Sequence, residues 1–267
     1  MMNTMKDKLE AFERLLNIMD DLRSKCPWDK IQTLESLRTL SIEEVYELAD
    51  AILLNEPQEI KKELGDILLH IVFYAKIGSE TNDFDIADII NTLCDKLIFR
   101  HPHIYGDVEV ANDREVADNW EAIKLREKQK NGKTNTVLGG VPRSLPAIIK
   151  AHRIQDKARG VGFDWEERDQ VWDKVAEEME ELKEELKNGN KEEIEKEFGD
   201  LFFSMINAAR LHGINPENAL ERTNLKFIKR FNYLEEQTIQ KGKSLHEMSL
   251  AEMDIHWEEA KKLEKES

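Results

Sequence analysis

One acidic pattern occurs twice in this chain, and every member recurs after 134 residues: Glu44, Glu47, Glu63 and Asp66, then Glu178, Glu181, Glu197 and Asp200. In each set two acids three apart precede a turn, and two more acids three apart follow it. Gly189 stands midway between Glu178 and Asp200 and midway between Glu181 and Glu197, and Asn55 holds the same place in the first half. If the flanks are helices folded back as an αα-hairpin, the two acidic pairs face each other at the same height. Two like charges about 4 Å apart cost about 4 kcal/mol at an effective dielectric near 20, so four such carboxylates need a cation between them. Oxygen-only donors suit a hard divalent ion, and Mg²⁺ in particular shares its shell among carboxylates, water and substrate phosphates. The pattern predicts a metal-dependent phosphate site.

The hairpin expectation rests on periodicity. Apolar residues at 171, 175, 179, 182 and 186, and again at 194, 198, 201, 202, 205 and 209, follow a helical repeat, and nothing comparable alternates with period two. Lys187-Asn188-Gly189-Asn190 carries the chemistry of a helix end, and in the first half Pro57 follows Asn55-Glu56 as an opener for the second helix. An isolated EExxE is also how a solvated helix face looks. Three details oppose that reading here. Glu178 and Glu181 border the apolar stripe while Glu177 and Glu180 point away. Asp66 and Asp200 each open a stretch that is apolar nearly all round, which predicts burial, and a buried acid needs a partner. Gly65 and Gly199 directly precede those aspartates, and a mid-helix glycine predicts close helix approach.

The repeat reaches further. Lys96 and Arg100 match Lys226 and Arg230, four apart and on one helix face in each half, a spacing able to hold phosphates. Trp120 corresponds to Trp257, each a candidate to stack on a base or to anchor a core. His101 and His103, two apart across a proline, predict a turn or packing role rather than a metal site, and Asp29 and Asp164 predict helix caps.

Composition narrows the class. The formal charge of −16 lacks the basic footprint of nucleic-acid binding. Only Cys26 and Cys94 are present, at no metal-site spacing, which fits a reducing compartment. The longest apolar stretch, Ile67 to Ala75, is interrupted by His70 and is far shorter than the roughly 18 residues of a spanning helix. These features predict a soluble cytoplasmic protein that engages no membrane. The polar run from Gln129 and then Gly139-Gly140-Val141 predict a linker over 129–141, between domains at 1–128 and 142–267.

The acidic repeats, with CPWDK at 26–30, RHPH at 100–103, VPRSLPA at 141–147 and VGFDW at 161–165, resemble the MazG family of nucleoside triphosphate pyrophosphohydrolases in its two-domain form. The likeness covers almost the whole chain. It implies an all-α fold, a tandem repeat of two helical-bundle domains each completed by dimerisation into a homodimer. It implies Mg²⁺-dependent hydrolysis of nucleoside triphosphates, canonical or noncanonical, to monophosphate and pyrophosphate, with the C-terminal half as the active one. By resemblance Glu178, Glu181, Glu197 and Asp200 are metal ligands, with Glu178 or Glu181 also accepting a proton. Lys174, Lys226, Arg230 and Trp257 are nucleotide contacts. A further basic contact in family members falls here on Glu193, with Lys191 and Lys196 as nearby stand-ins. Glu44, Glu47, Glu63, Asp66, Lys96, Arg100 and Trp120 form a possible second site. Three other readings compete: a pyrophosphohydrolase narrow for one nucleotide, a helical nucleotide- or metal-binding regulator without catalysis, and a di-iron oxidase. The last typically carries Glu-x-x-His, whereas the pairs here read Glu-x-x-Glu and Glu-x-x-Asp.

Overall fold

A computed structural model describes residues 3–108, 136–165, 167–239 and 244–266, together with the isolated positions 110, 116, 123 and 242. Among the described residues every regular element is helical, as the periodicity predicts. The chain divides into two compact units, Met1–Val116 and Ala117–Ser267.

The first unit runs α1 (Met5–Lys25), α2 (Pro27–Ile31), α3 (Leu34–Leu53), α4 (Pro57–Glu80), α5 (Ile86–Arg100) and α6 (Pro102–Tyr105). Local chemistry sets the ends. Thr4 and Asp7 form a capping box at the start of α1, Thr33 and Ser36 do so for α3, and Asp85 and Asp88 for α5. Helices α1, α3 and α4 converge on Met19, Leu37, Val72 and Phe73, with Phe12, Leu40 and Ile77 packed around them. Each such side chain contributes about 1.5–3 kcal/mol when fully removed from water. Arg23 ties α2 to this core. Its Nε and Nη2 donate to Glu80 at 2.7 and 2.8 Å, and its Nη1 donates to the carbonyl oxygens of Asp29 and Gln32. At the end of α4, a Cβ on Gly78 would lie 2.5 Å from the Phe84 ring, so only glycine fits.

In the second unit the elements described in full are a 3₁₀ turn (Val137–Gly140), α7 (Ala147–Arg159), α8 (Gln170–Asn188), α9 (Lys191–Leu211), α10 (Pro216–Thr238), a second 3₁₀ turn (Leu245–Glu247) and α11 (Leu250–Glu266). Helices α8 and α9 fold back on each other across Gly189, which takes φ +75°. Asn190 then caps α9 by accepting from the Glu192 amide. The same device closes the first unit's hairpin of α3 and α4, where Asn55 has φ 57° and Pro57 opens α4. Gln155 on α7 donates to the Phe203 carbonyl, fixing α7 against α9. Helices α10 and α11 pack as a further antiparallel pair, burying Leu234 and Ala260.

Three expectations are corrected. Asp66 and Asp200 lie inside α4 and α9, and the stretches after them are not sealed within the chain: Leu201 is buried, but Phe202 is 62% exposed and Leu68 39%. An apolar face all round shows what a helix can cover, not that its own chain supplies the cover. A Cβ built on Gly65 or Gly199 would meet nothing within 4 Å, so neither glycine marks close approach within the chain. Asp29 and Asp164 are not caps either. The cap of α2 is Cys26, with Asp29 in its first turn, and Asp164 instead forms a two-bonded ion pair with Arg210 at the end of α9.

Candidate metal and phosphate site

The two hairpins bring three of the four predicted acids of each half together. Carboxylate oxygens of Glu178, Glu197 and Asp200 lie within 4.8 Å of one another, and so do those of Glu44, Glu63 and Asp66. Glu178 and Asp200 reach this point from α8 and α9 because their spacing from Gly189 is equal. Glu181 and Glu47 stand outside the two trios, exposed on the same helices. Their charges still reach in. The Glu197 carboxyl is pushed above its usual range by burial first, then by the charges of Glu181, Asp200 and Glu178. Glu44 is pushed up likewise by burial, then by Asp66, Glu47 and Glu63. Each trio also contains a buried oxygen with no hydrogen-bond partner, Oε2 of Glu197 and Oε2 of Glu63. A buried anionic oxygen without a partner carries a large desolvation cost, and clustered all-oxygen donors with raised carboxyl pKa values fit a hard cation.

Each half partly offsets its clustered charge with one lysine, placed differently. Lys174 Nζ lies 2.7 Å from Glu178 and 2.9 Å from Glu177, and these two bonds hold its ammonium charged well beyond the usual range. In the first unit Leu40 occupies the position of Lys174, and Lys62 instead sits 2.8 Å from the 3%-exposed Glu63. Of the stand-ins for the basic contact that falls on Glu193, Lys196 is bonded to Glu193 itself at 2.6 Å. Of the two predicted outward acids, Glu180 pairs with Lys183, while Glu177 shares Lys174 with Glu178 of the trio.

The other predicted residues come from other helices. Arg230 and Lys226 lie on α10, and Trp257 on α11 packs against Phe227 with ring centroids 4.9 Å apart. Lys96 and Arg100 share a face of α5, while Trp120 lies outside the described residues. His101 caps the end of α5, with its Nδ1 2.6 Å from the Leu97 carbonyl oxygen and its ring tilted against that of His103 with centroids 5.5 Å apart, a turn position as the spacing predicts.

Two features carried no clear sequence signal. Glu264 on α11 binds Arg230. Beside the first trio, Ser41 Oγ lies 2.6 Å from His70 Nδ1 and 2.7 Å from the Tyr74 hydroxyl. The interruption of an apolar run by His70 was the visible trace of that knot; the second half has Val175, Ser204 and Ala208 at these places.

A model of the MazG nucleotide pyrophosphohydrolase domain matches the chain twice, over residues 32–105 and 167–234, and each match encloses one acidic quartet. The chain is 43% identical over 259 residues to the nucleoside triphosphate pyrophosphohydrolase/pyrophosphatase MazG of Thermotoga maritima, covering 96% of this chain and 98% of that protein. It is 38% identical over 261 residues to the nucleoside triphosphate pyrophosphohydrolase of Escherichia coli K12, covering 96% and 99%. In both relatives the similarity extends through the tandem arrangement, so this chain belongs to the MazG nucleotide pyrophosphohydrolase family.

Proposed function

We propose that the protein hydrolyses nucleoside triphosphates to the monophosphate and pyrophosphate with Mg²⁺, at the hairpin of the second unit. The observation that carries this reading is the trio of Glu178, Glu197 and Asp200, with its buried, unpaired Glu197 oxygen. These three side chains would hold the cation. When bound, Mg²⁺ neutralises clustered carboxylates and phosphate oxygens and lowers the pKa of a bound water. Glu181 lies outside the trio yet close enough to act on Glu197, which suits it to accept a proton from the attacking water. Lys174, paired with Glu178, would supply a positive charge to phosphate oxygens beside the trio. Lys226 and Arg230 offset charge on the departing pyrophosphate, and Trp257 borders the base.

The first unit keeps its trio but has Leu40 in place of Lys174, which supports a structural or regulatory role rather than turnover. We further propose that the chain works as a homodimer. Phe202, Phe198 and Met205 stand 62%, 40% and 44% exposed on α9, and a stripe of this size needs cover.

The test is product analysis on a panel of canonical and noncanonical ribo- and deoxynucleoside triphosphates, with and without Mg²⁺. Monophosphate plus pyrophosphate, formed only with metal, is the expected result, and the panel ranks bases and sugars. Diphosphate plus orthophosphate would mean attack at the γ-phosphorus and would overturn the reading. Glu178→Ala should lower turnover by at least about 100-fold with helicity retained, as loss of a charge-stabilising group does. Glu44→Ala should leave most of it, and an equal loss in both variants contradicts a passive first unit.

A further inference from the structure

Arg230 is held from two sides. Its Nε and Nη2 both donate to Oε2 of Glu264, at 3.1 and 2.7 Å, and its guanidinium carbon stands 5.7 Å from the centre of the Trp257 ring. Both partners come from α11, where seven residues, close to two helical turns, place Trp257 and Glu264 on one face. The ion pair is largely withdrawn from water, with side chains 17% and 19% exposed. A guanidinium carries five N–H donors; Glu264 engages two, leaving three for another acceptor. Trp257 is itself braced by Phe227.

We propose that Glu264 is a positioning residue for the triphosphate, fixing the Arg230 guanidinium against Trp257 so that its remaining donors face the polyphosphate. This inference rests on the reading of Arg230 as a phosphate contact. An arginine loose in solvent loses much side-chain freedom when it binds an anion, and one already clamped loses less. The negative charge of Glu264 would weaken anion binding if it stood alone. It does not: Lys226 and Lys229 also act on it, so three cations are shared between Glu264 and the neighbouring Glu258, which Arg230 also reaches. The first half carries the same spacing in sequence, with Glu127 seven residues after Trp120.

The experiment measures kcat and KM for pyrophosphate release from the triphosphate that the panel ranks fastest. It compares the full-length wild type with Glu264→Ala, Glu264→Gln, Arg230→Ala and the Glu264→Ala/Arg230→Ala double variant. Glu264→Ala should raise KM about tenfold with kcat within about twofold, the split expected when binding alone is weakened. Glu264→Gln keeps an acceptor for Nε and Nη2 and should recover most of the loss. In the Arg230→Ala background, removal of Glu264 should add nothing; a general structural role would add its full cost there. Unfolding midpoints on each variant separate misfolding from misplacement. A wild-type KM in Glu264→Ala beside an impaired Arg230→Ala overturns the clamp alone, as does an undiminished Glu264 effect without Arg230. Wild-type kinetics in Arg230→Ala would instead overturn the underlying phosphate-contact reading.

Discussion

Glu197 shows how a single residue carries the conflict between folding and function. It is partly buried, it has an oxygen without a partner, and neighbouring acids, Glu181 foremost, raise its pKa after burial has done so first. A carboxyl raised in the folded state opposes folding above its folded pKa, and that penalty disappears once pH falls below its ordinary value. Glu197→Gln should therefore raise the melting temperature of the metal-free protein at neutral pH. The gain should shrink on acidification through the raised carboxyl range and vanish below the ordinary one. The same variant should lose most of the thermal stabilisation that Mg²⁺ gives the wild type, because bound cation stabilises only a competent site. A variant that melts lower than wild type without metal at neutral pH would contradict the repulsion account. His70 is the contrasting case: burial pushes its pKa down against the pull of Asp66, and its place beside Ser41 and Tyr74 joins it to the first unit's polar interior.

Elements, more than individual side chains, set the height at which the acids meet. Helices α8 and α9 reverse across one left-handed residue, and the acidic trio forms because Glu178 and Asp200 are equidistant from it. Gly189→Ala should cost about 1 kcal/mol, since a Cβ is disfavoured at positive φ, and chemical denaturation would read it as a lowered midpoint with unchanged slope. Asn55 performs the equivalent reversal with a side chain that tolerates the left-handed region. An unchanged midpoint for Gly189→Ala would mean that the hairpin does not depend on that conformation. The α10–α11 pair differs, holding Arg230 by an ion pair and bracing Trp257 by ring packing rather than by backbone geometry.

At the scale of the whole molecule, exposed apolar residues bear on how many copies of the chain associate. Val171 and Leu182 of the α8 stripe are buried, yet Met179 and Leu186 on the same stripe are 38% and 53% exposed. Together with Phe202, they fit a helical face completed by a second copy. Light scattering should return about twice the 31.1 kDa chain mass, and Phe202→Glu should shift it toward one chain, since a charge at an apolar interface is left unpaired. A wild-type mass of one chain would sink the dimer.

The acid spacing, the turn residues and the helical periodicity are local properties, so the all-α fold and the paired hairpins were legible in the sequence alone. The sequence also placed eight acids in two matching quartets. Tertiary structure decided the rest, because it depends on where neighbouring helices stop. It drew three acids of each quartet together and left Glu47 and Glu181 at the margin. It turned Asp164 toward Arg210, set Glu264 against Arg230, and left open space beside Gly65 and Gly199. A one-dimensional period specifies which face a residue takes on its own helix; only packing specifies what stands opposite that face.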